Sequence, residues 1–212
     1  MKLSLLILSV RGRLDRLPKL LDYLEDQAEE KPVQILCLYD NKKMTVGGKR
    51  RLLLENCSGE YFTFIDDDDW VSDNFVRRLL ETIELAPDCI VYDRIYSYLE
   101  TRRCCHDSLC ESEELIGEVW RCPLSHTMTW KTDLVWNVPF PLQNVHEDVE
   151  WAKKARENID IEKVVRVPDI FYHYNFNDQD TETHPRHKHS GRPRKRIKTT
   201  ITQKRRRKGF TG

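Results

Sequence analysis

The sequence predicts an α/β domain built around a mostly parallel sheet, followed by a basic tail. Apolar runs of strand length alternate with segments of helical periodicity through the first hundred residues. Four consecutive carboxylates, Asp66-Asp67-Asp68-Asp69, close one of those runs, and strand ends are where open α/β sheets bind ligands. Charge is also divided along the chain. Of 35 basic and 35 acidic side chains in 212 residues, 12 Lys or Arg and no Asp or Glu fall within residues 183–212. An acidic body therefore carries a basic arm, which suggests a polyanionic partner for the arm, either nucleic acid or an anionic membrane surface.

Each element has its own signal. Residues 3–10 are apolar and read as a first buried strand. They are a poor signal peptide, because Arg11-Gly12-Arg13 stands where a small-residue cleavage site is needed. Leu14, Leu17, Leu21, Leu24 and Ala28 recur at helical spacing until Pro32. Residues 33–39 form a second strand stopping at Asp40-Asn41. Val46-Gly47-Gly48 opens a helix through Leu52, Leu53 and Cys57, closed by Ser58-Gly59. Residues 61–65 are the strand that leads into the acids. Val76, Leu79, Leu80, Ile83 and Ala86 mark the next helix, stopped by Pro87 before a strand over 89–96.

The second half is less regular. Residues 100–114 are polar and read as a loop, while 124–130 and 164–174 have strand composition. A charged helix begins near Glu147 with Val149, Ala152 and Ala155 as its apolar stripe. Periodicity ends near Asn175, which divides the chain into a domain over 1–175 and a flexible arm over 176–212. Seven cysteines without an export signal read as reduced thiols. Cys104, Cys105, His106, Cys110 and Cys122 cluster, but without a zinc-like C-x-x-C spacing. No stretch approaches the roughly 20 apolar residues of a membrane span. The expected location is cytoplasmic.

The four acids carry the most chemistry. Crowded carboxylates repel unless a cation neutralises them, and oxygen-only ligands suit Mg²⁺ or Mn²⁺, which in turn grip a phosphate or diphosphate. The plainer alternative is a solvated acidic turn capping the next helix through Ser72 or Asp73.

Taken in order, these pieces resemble the family 2 type of glycosyltransferase, with its nucleotide-sugar-binding GT-A fold, over roughly residues 3–175. The matching pieces are Ser9-Val10-Arg11 through Leu24, Asp40 at the second strand end, and Gly48-Lys49-Arg50 through Gly59-Glu60-Tyr61-Phe62. Asp66-x-Asp68 fits the Asp-x-Asp motif and His146-Glu147-Asp148 the Glu-Asp motif.

The resemblance implies a metal-dependent inverting transfer from a nucleotide-diphospho-sugar, with a UDP-sugar favoured. Ser9, Arg11, Asp40, Lys49, Arg50 and Asp67 would serve the donor, Asp40 at the nucleobase and Asp67 at the ribose. Asp66 and Asp68, with His173, would hold Mn²⁺ or Mg²⁺. Asp148 would be the general base, with His126, Trp130 and Glu147 on the acceptor side. Three readings stay open at this point. Lys49 and Arg50 are either phosphate- or base-contacting groups or a solvated helix face. His173 is either a ligand or a core histidine. Trp70, Trp130 and Trp151 either stack on a sugar or base or pack in the core.

In the arm, Ser190-Gly191-Arg192-Pro193-Arg194-Lys195-Arg196 resembles an AT-hook, whose slim Arg-Pro segment suits the narrow A·T minor groove. Lys204-Arg205-Arg206-Arg207-Lys208 would add phosphate contacts. A transferase with a DNA-binding arm implies a hydroxylated DNA base as acceptor and a viral origin. The competing readings are a polysaccharide or lipid-linked glycan acceptor with a generic polybasic arm, a nucleotidyltransferase, and a non-catalytic DNA-binding protein. Arg11-Gly12-Arg13 is a poor phosphate loop for the second of these, and intact Asp68 and Asp148 argue against the third.

Overall fold

The structure, a computed structural model, describes residues 1–11, 15–98, 100–107 and 109–175. Leu14 of the first helix, the AT-hook-like segment Arg192-Pro193-Arg194-Lys195-Arg196 and the rest of the arm lie outside the described residues.

The first strand, β1 (Leu3–Val10), is buried along its whole length, as expected of a strand with a parallel neighbour on each side. Those neighbours are β2 (Val33–Asp40) and β3 (Tyr61–Asp66). Between them, α1 (Leu17–Ala28) starts on a proline at its first turn and buries Leu17, Leu20 and Leu24. The next helix, α2 (Val46–Glu55), is capped by the Thr45 side chain, which accepts from the Gly48 N–H. After the acids come the short β4 (Trp70–Val71), α3 (Phe75–Ile83) and β5 (Cys89–Tyr98).

The sheet then becomes mixed, although more of its paired length is parallel than antiparallel. Its order is β2-β1-β3-β9-β5-β6-β8-β7, with β10 (Val164–Tyr174) parallel to β5 and antiparallel to β4. The remaining strands are β6 (Glu100–His106), β7 (Glu114–Ile116), β8 (Val119–Cys122) and β9 (Thr129–Lys131). The helices α4 (Thr132–Val135) and α5 (Glu147–Arg156) complete the described secondary structure apart from one 3₁₀ turn.

Three expectations are corrected here. The polar stretch over 100–114 contains strands β6 and β7, not only loop. Its polarity misleads because Arg103 reaches across to Asp93 on β5 while Cys104 and His106 turn inward. Of the 124–130 segment only Thr129 and Trp130 are strand, the start of β9; a turn closed by the Met128 N–H on the Ser125 carbonyl precedes them. On α5, Val149 is 47% exposed, and Trp151 joins Ala152 and Ala155 in the core instead.

Register and one close approach set up the functional face. Pairing of Val10 with Asp40 and of Leu8 with Asp66 brings Ser9, Asp40 and the acids to the same sheet edge. At Gly47 the chain permits no side chain: a Cβ there would lie 1.8 Å from the Pro141 carbonyl oxygen. The Gly47 N–H donates to the Gln143 carbonyl at 3.0 Å, and the Val46 N–H to Asn144 Oδ1 at 2.9 Å. The start of α2 is thereby pressed onto the segment that leads into α5.

Candidate active site

Two clefts open along this edge. One, of ≈ 490 Å³, is lined by Asp67, Asp68, Asp69 and Trp70 with Arg16 and Lys19 from the α1 side. The other, of ≈ 270 Å³, contains Asp66, His126, Glu147 and Asp148. The acid run thus divides: Asp66 faces one cleft and its three successors the other.

Buried contacts hold the first cleft. Ser9 Oγ donates to Asp67 Oδ2 at 2.5 Å. Lys49, 1% exposed, sets its Nζ 3.1 Å from Asp40 Oδ1 and 3.4 Å from the Ser9 carbonyl. Asp40 Oδ2 also accepts from the Lys43 and Met44 N–H groups. Burial works against ionisation of Asp40, but these donors and Lys49 win and its carboxyl is held low. Asp69 Oδ1 accepts from the Asn175 N–H at 2.9 Å, tying the acid turn to the end of β10. Burial, followed by repulsion from Asp66 and Asp68, pushes the Asp69 carboxyl well above the usual range. Trp70 stacks on Tyr23 with centroids 4.5 Å apart.

The second cleft is organised by Arg50 and His126. Arg50, 4% exposed, places Nε 3.3 Å from Glu147 Oε1 and a terminal nitrogen 3.1 Å from Asp66 Oδ1, over the Phe64 ring. His126 sits between two carboxylates, with Nδ1 3.2 Å from Asp148 Oδ2 and Nε2 3.5 Å from Asp66 Oδ2. Neither contact is aligned as a full hydrogen bond, so the imidazole is held by charge. Burial and Arg50 disfavour the imidazolium; Asp148 and Asp66 outweigh them and raise its pKa. Burial would also push Asp148 up, but His126, Arg50 and the Val149 N–H hold it far below the carboxylate range. Its place in the first turn of α5 adds the helix dipole in the same direction. Glu147 is raised, chiefly by burial.

The geometry agrees with a transferase site, and a family comparison decides the class. The model of glycosyl transferase family 2 matches residues 10–136, more than half of the chain. The chain belongs to glycosyl transferase family 2. Solved structures with the same fold include TarS 1–349 of S. aureus, at 18% identity and a TM-score of 0.60, covering 82% of this chain. This chain spans 60% of that one. The catalytic domain of Drosophila beta1,4galactosyltransferase 7, in complex with xylobiose, aligns over 86% of this chain and 74% of its own at 11% identity and a TM-score of 0.52. No curated protein matches the chain at a significant level.

In this family 2 chain the candidate residues form two networks, with the others outside them. Ser9, Asp40, Lys49 and Asp67 come together in one network beside Asp68 and Asp69. Asp66, Arg50, His126, Glu147 and Asp148 form a second one. Trp130 belongs to neither: it is fully buried, donates Nε1–H to the Ser125 carbonyl and meets Trp151 edge-on, so its acceptor-side assignment is corrected to core. Lys49 and Arg50 are not a solvated face; both are buried against carboxylates. Asp66 turns to Arg50 and His126 and stands apart from the cleft that Asp68 lines. His173 is half-buried opposite Trp70 in the β4–β10 pair. Arg11 is exposed, its N–H on the Asp40 carbonyl.

Among the cleft residues that escaped sequence reasoning are Arg16 and Lys19, at the start of the helix that follows the first strand. That position was the available signal, because a helix start beside a strand end is where phosphates are met. Among the described residues no three His, Cys, Asp or Glu side chains already converge on one metal position, and no helix is long and apolar enough to cross a membrane.

Proposed function

We propose that the protein transfers a sugar from a nucleotide-diphospho-sugar to an acceptor hydroxyl with inversion at the anomeric carbon. The observation that supports this most is His126, whose ring joins Asp148 to Asp66 at the root of the acid run. It ties the proposed base to Asp66, the first residue of the acid run. TarS, solved with UDP-GlcNAc and with UDP, supports a uridine nucleotide as the donor's leaving group.

Asp148 takes the proton of the acceptor hydroxyl as that oxygen bonds to the anomeric carbon. On the opposite face the bond from that carbon to the diphosphate oxygen breaks, and the nucleoside diphosphate leaves with the electron pair. An ionised carboxylate is required for this, and His126, Arg50 and the α5 N-terminus keep Asp148 ionised. Asp40 and Asp67, fixed by Lys49 and Ser9, are suited to the base and ribose of the nucleotide.

The donor-side acids fit a divalent cation such as Mn²⁺ or Mg²⁺. They are oxygen donors, they repel one another, and Asp69 Oδ2 is buried with no hydrogen-bond partner among the described residues. Asp68 would hold the ion, with His173 from β10 as a further donor and Asp66 drawn away by Arg50. Such an ion, when bound, stabilises charge on the departing diphosphate.

The acceptor follows from the arm. Its Gly191-Arg192-Pro193-Arg194 segment and second basic cluster support a hydroxylated base in DNA, as in viruses that modify their genomes. Incubation with labelled UDP-sugars and hydroxymethylated DNA, with and without Mn²⁺, tests this. Metal-dependent label on DNA is the expected result. Label on glycan or lipid acceptors alone would refute the DNA acceptor, and release of UDP from no UDP-sugar would refute the donor.

A further inference from the structure

Among the described residues, one cation of the acceptor cleft lacks a counter-charge. Arg94, in β5, is 8% exposed and lines the cleft that contains Asp148 and His126. Its neighbour Asp93 does not serve it. Successive strand residues point to opposite faces, and Asp93 meets Arg103 and Arg166 on the other one. The nearby carboxylates are engaged elsewhere, Asp66 and Glu147 by Arg50 and Asp148 by His126. Among the described residues, the Arg94 side chain contacts the hydroxyl of Tyr96 and its ring, 4.5 Å from the centroid. Its Nε is buried with no acceptor.

A cation–π contact offsets only part of what burying a guanidinium costs. An unmet buried donor adds to that deficit. The neighbouring His106 is kept neutral, first by burial and then by the charge of Arg94, so it contributes no relief. Glu113 also borders the cleft, at its exposed rim.

We infer that Arg94 is an anion subsite of the acceptor cleft, binding a phosphate or carboxylate carried by the acceptor close to the hydroxyl it presents to Asp148. The inference rests on Asp148 marking the acceptor side. The donor's diphosphate has its own surroundings in the other cleft, with Arg16, Lys19 and the acids. A guanidinium fork matches either oxyanion in a two-point contact, so the acceptor is an anionic molecule in preference to a neutral glycan.

The test is an NMR titration of the full-length protein, saturated with UDP and diamagnetic Mg²⁺, by methyl phosphate and separately by acetate. The readouts are the Nε–H resonance of Arg94, assigned by its loss in Arg94→Lys, and the backbone amides of Ser125, His126 and Val149 that line the same cleft and remain in every variant. Saturating UDP fills the donor's phosphate positions, so a further saturable shift reports a second anion position. At least one anion is expected to give that shift. Arg94→Gln is expected to weaken anion binding, read from the cleft amides, by about tenfold or more while UDP affinity stays within about twofold.

No saturable shift with either anion overturns the inference, as does undiminished anion binding by Arg94→Gln. A loss of UDP affinity without loss of anion binding also overturns it and assigns Arg94 to the donor. Should Arg94→Gln fail to fold, Arg94→Lys decides: it keeps the charge without the fork and is expected to bind more weakly, and equal binding counts against the subsite. Failure of the wild type to bind UDP refutes the donor reading instead, and methyl phosphate added to the free protein still decides the subsite.

Discussion

His126 approaches Asp148 to 3.2 Å while its other ring nitrogen lies 3.5 Å from Asp66, so a single imidazole links the first turn of α5 to the end of β3. Both carboxylates favour its protonated form, and the protonated form in turn favours ionised Asp148.

That coupling gives stability a definite pH dependence. The folded pKa of His126 is raised above 6.5, so its contribution is complete below 6.5 and is lost as pH rises through the raised value. Asp148 is depressed below 3.8, so its contribution is present above 3.8 and is lost as pH falls through the depressed value. Thermal melts from pH 5 to pH 9 should show a decline on the alkaline side. In His126→Gln that decline should flatten; an unchanged slope would show that His126 titrates without the two carboxylates.

Arg50 is the other support of the cleft, and removing it strands Glu147 and Asp66. Arg50→Met should destabilise the fold by about 3–5 kcal/mol. Glu147→Gln alone also breaks the pair, so the double variant should fall short of the sum of the two singles. Urea denaturation of the four proteins measures the coupling, and additive losses would mean that the pair contributes nothing as a unit.

Gly47→Ala tests how α2 is seated. A Cβ at 1.8 Å from the Pro141 oxygen forces backbone apart, with an expected cost of about 1–3 kcal/mol. Because the shift moves α2 relative to α5, turnover should fall as well, even after correction for unfolded protein. Gly48→Ala is the control: its nearest contact is the Thr45 side chain at 3.0 Å, which can adjust.

Much of this arrangement was legible in the residues. Strands β1 and β3 announced themselves as nearly continuous apolar runs because parallel strands with a neighbour on each side are buried on both faces. Strand β2 was equally apolar although it is the half-buried strand at the sheet edge. The acids, Asp40 and the Glu147-Asp148 pair stood at element ends, where the fold gathers them. β6 was not legible, since Arg103 reaches a polar partner, Asp93, across the sheet and the segment's composition resembles a loop. Trp130 was ambiguous because an aromatic residue near a site reads the same whether it packs or binds. Asp66 and Arg94 show the deeper limit. Their roles depend on which face of a strand end meets which neighbour, and composition does not encode that partner.

The central claim is that Asp148 removes the acceptor's proton from a surface it shares with the donor-side acids. Its most direct test is Asp148→Asn, assayed for UDP release from a panel of UDP-sugars and for equilibrium binding of UDP. Turnover should fall by about 10²–10⁴-fold, the usual worth of a general base, while UDP affinity stays within about twofold. An Asp148→Asn protein that releases UDP at the wild-type rate would contradict the account.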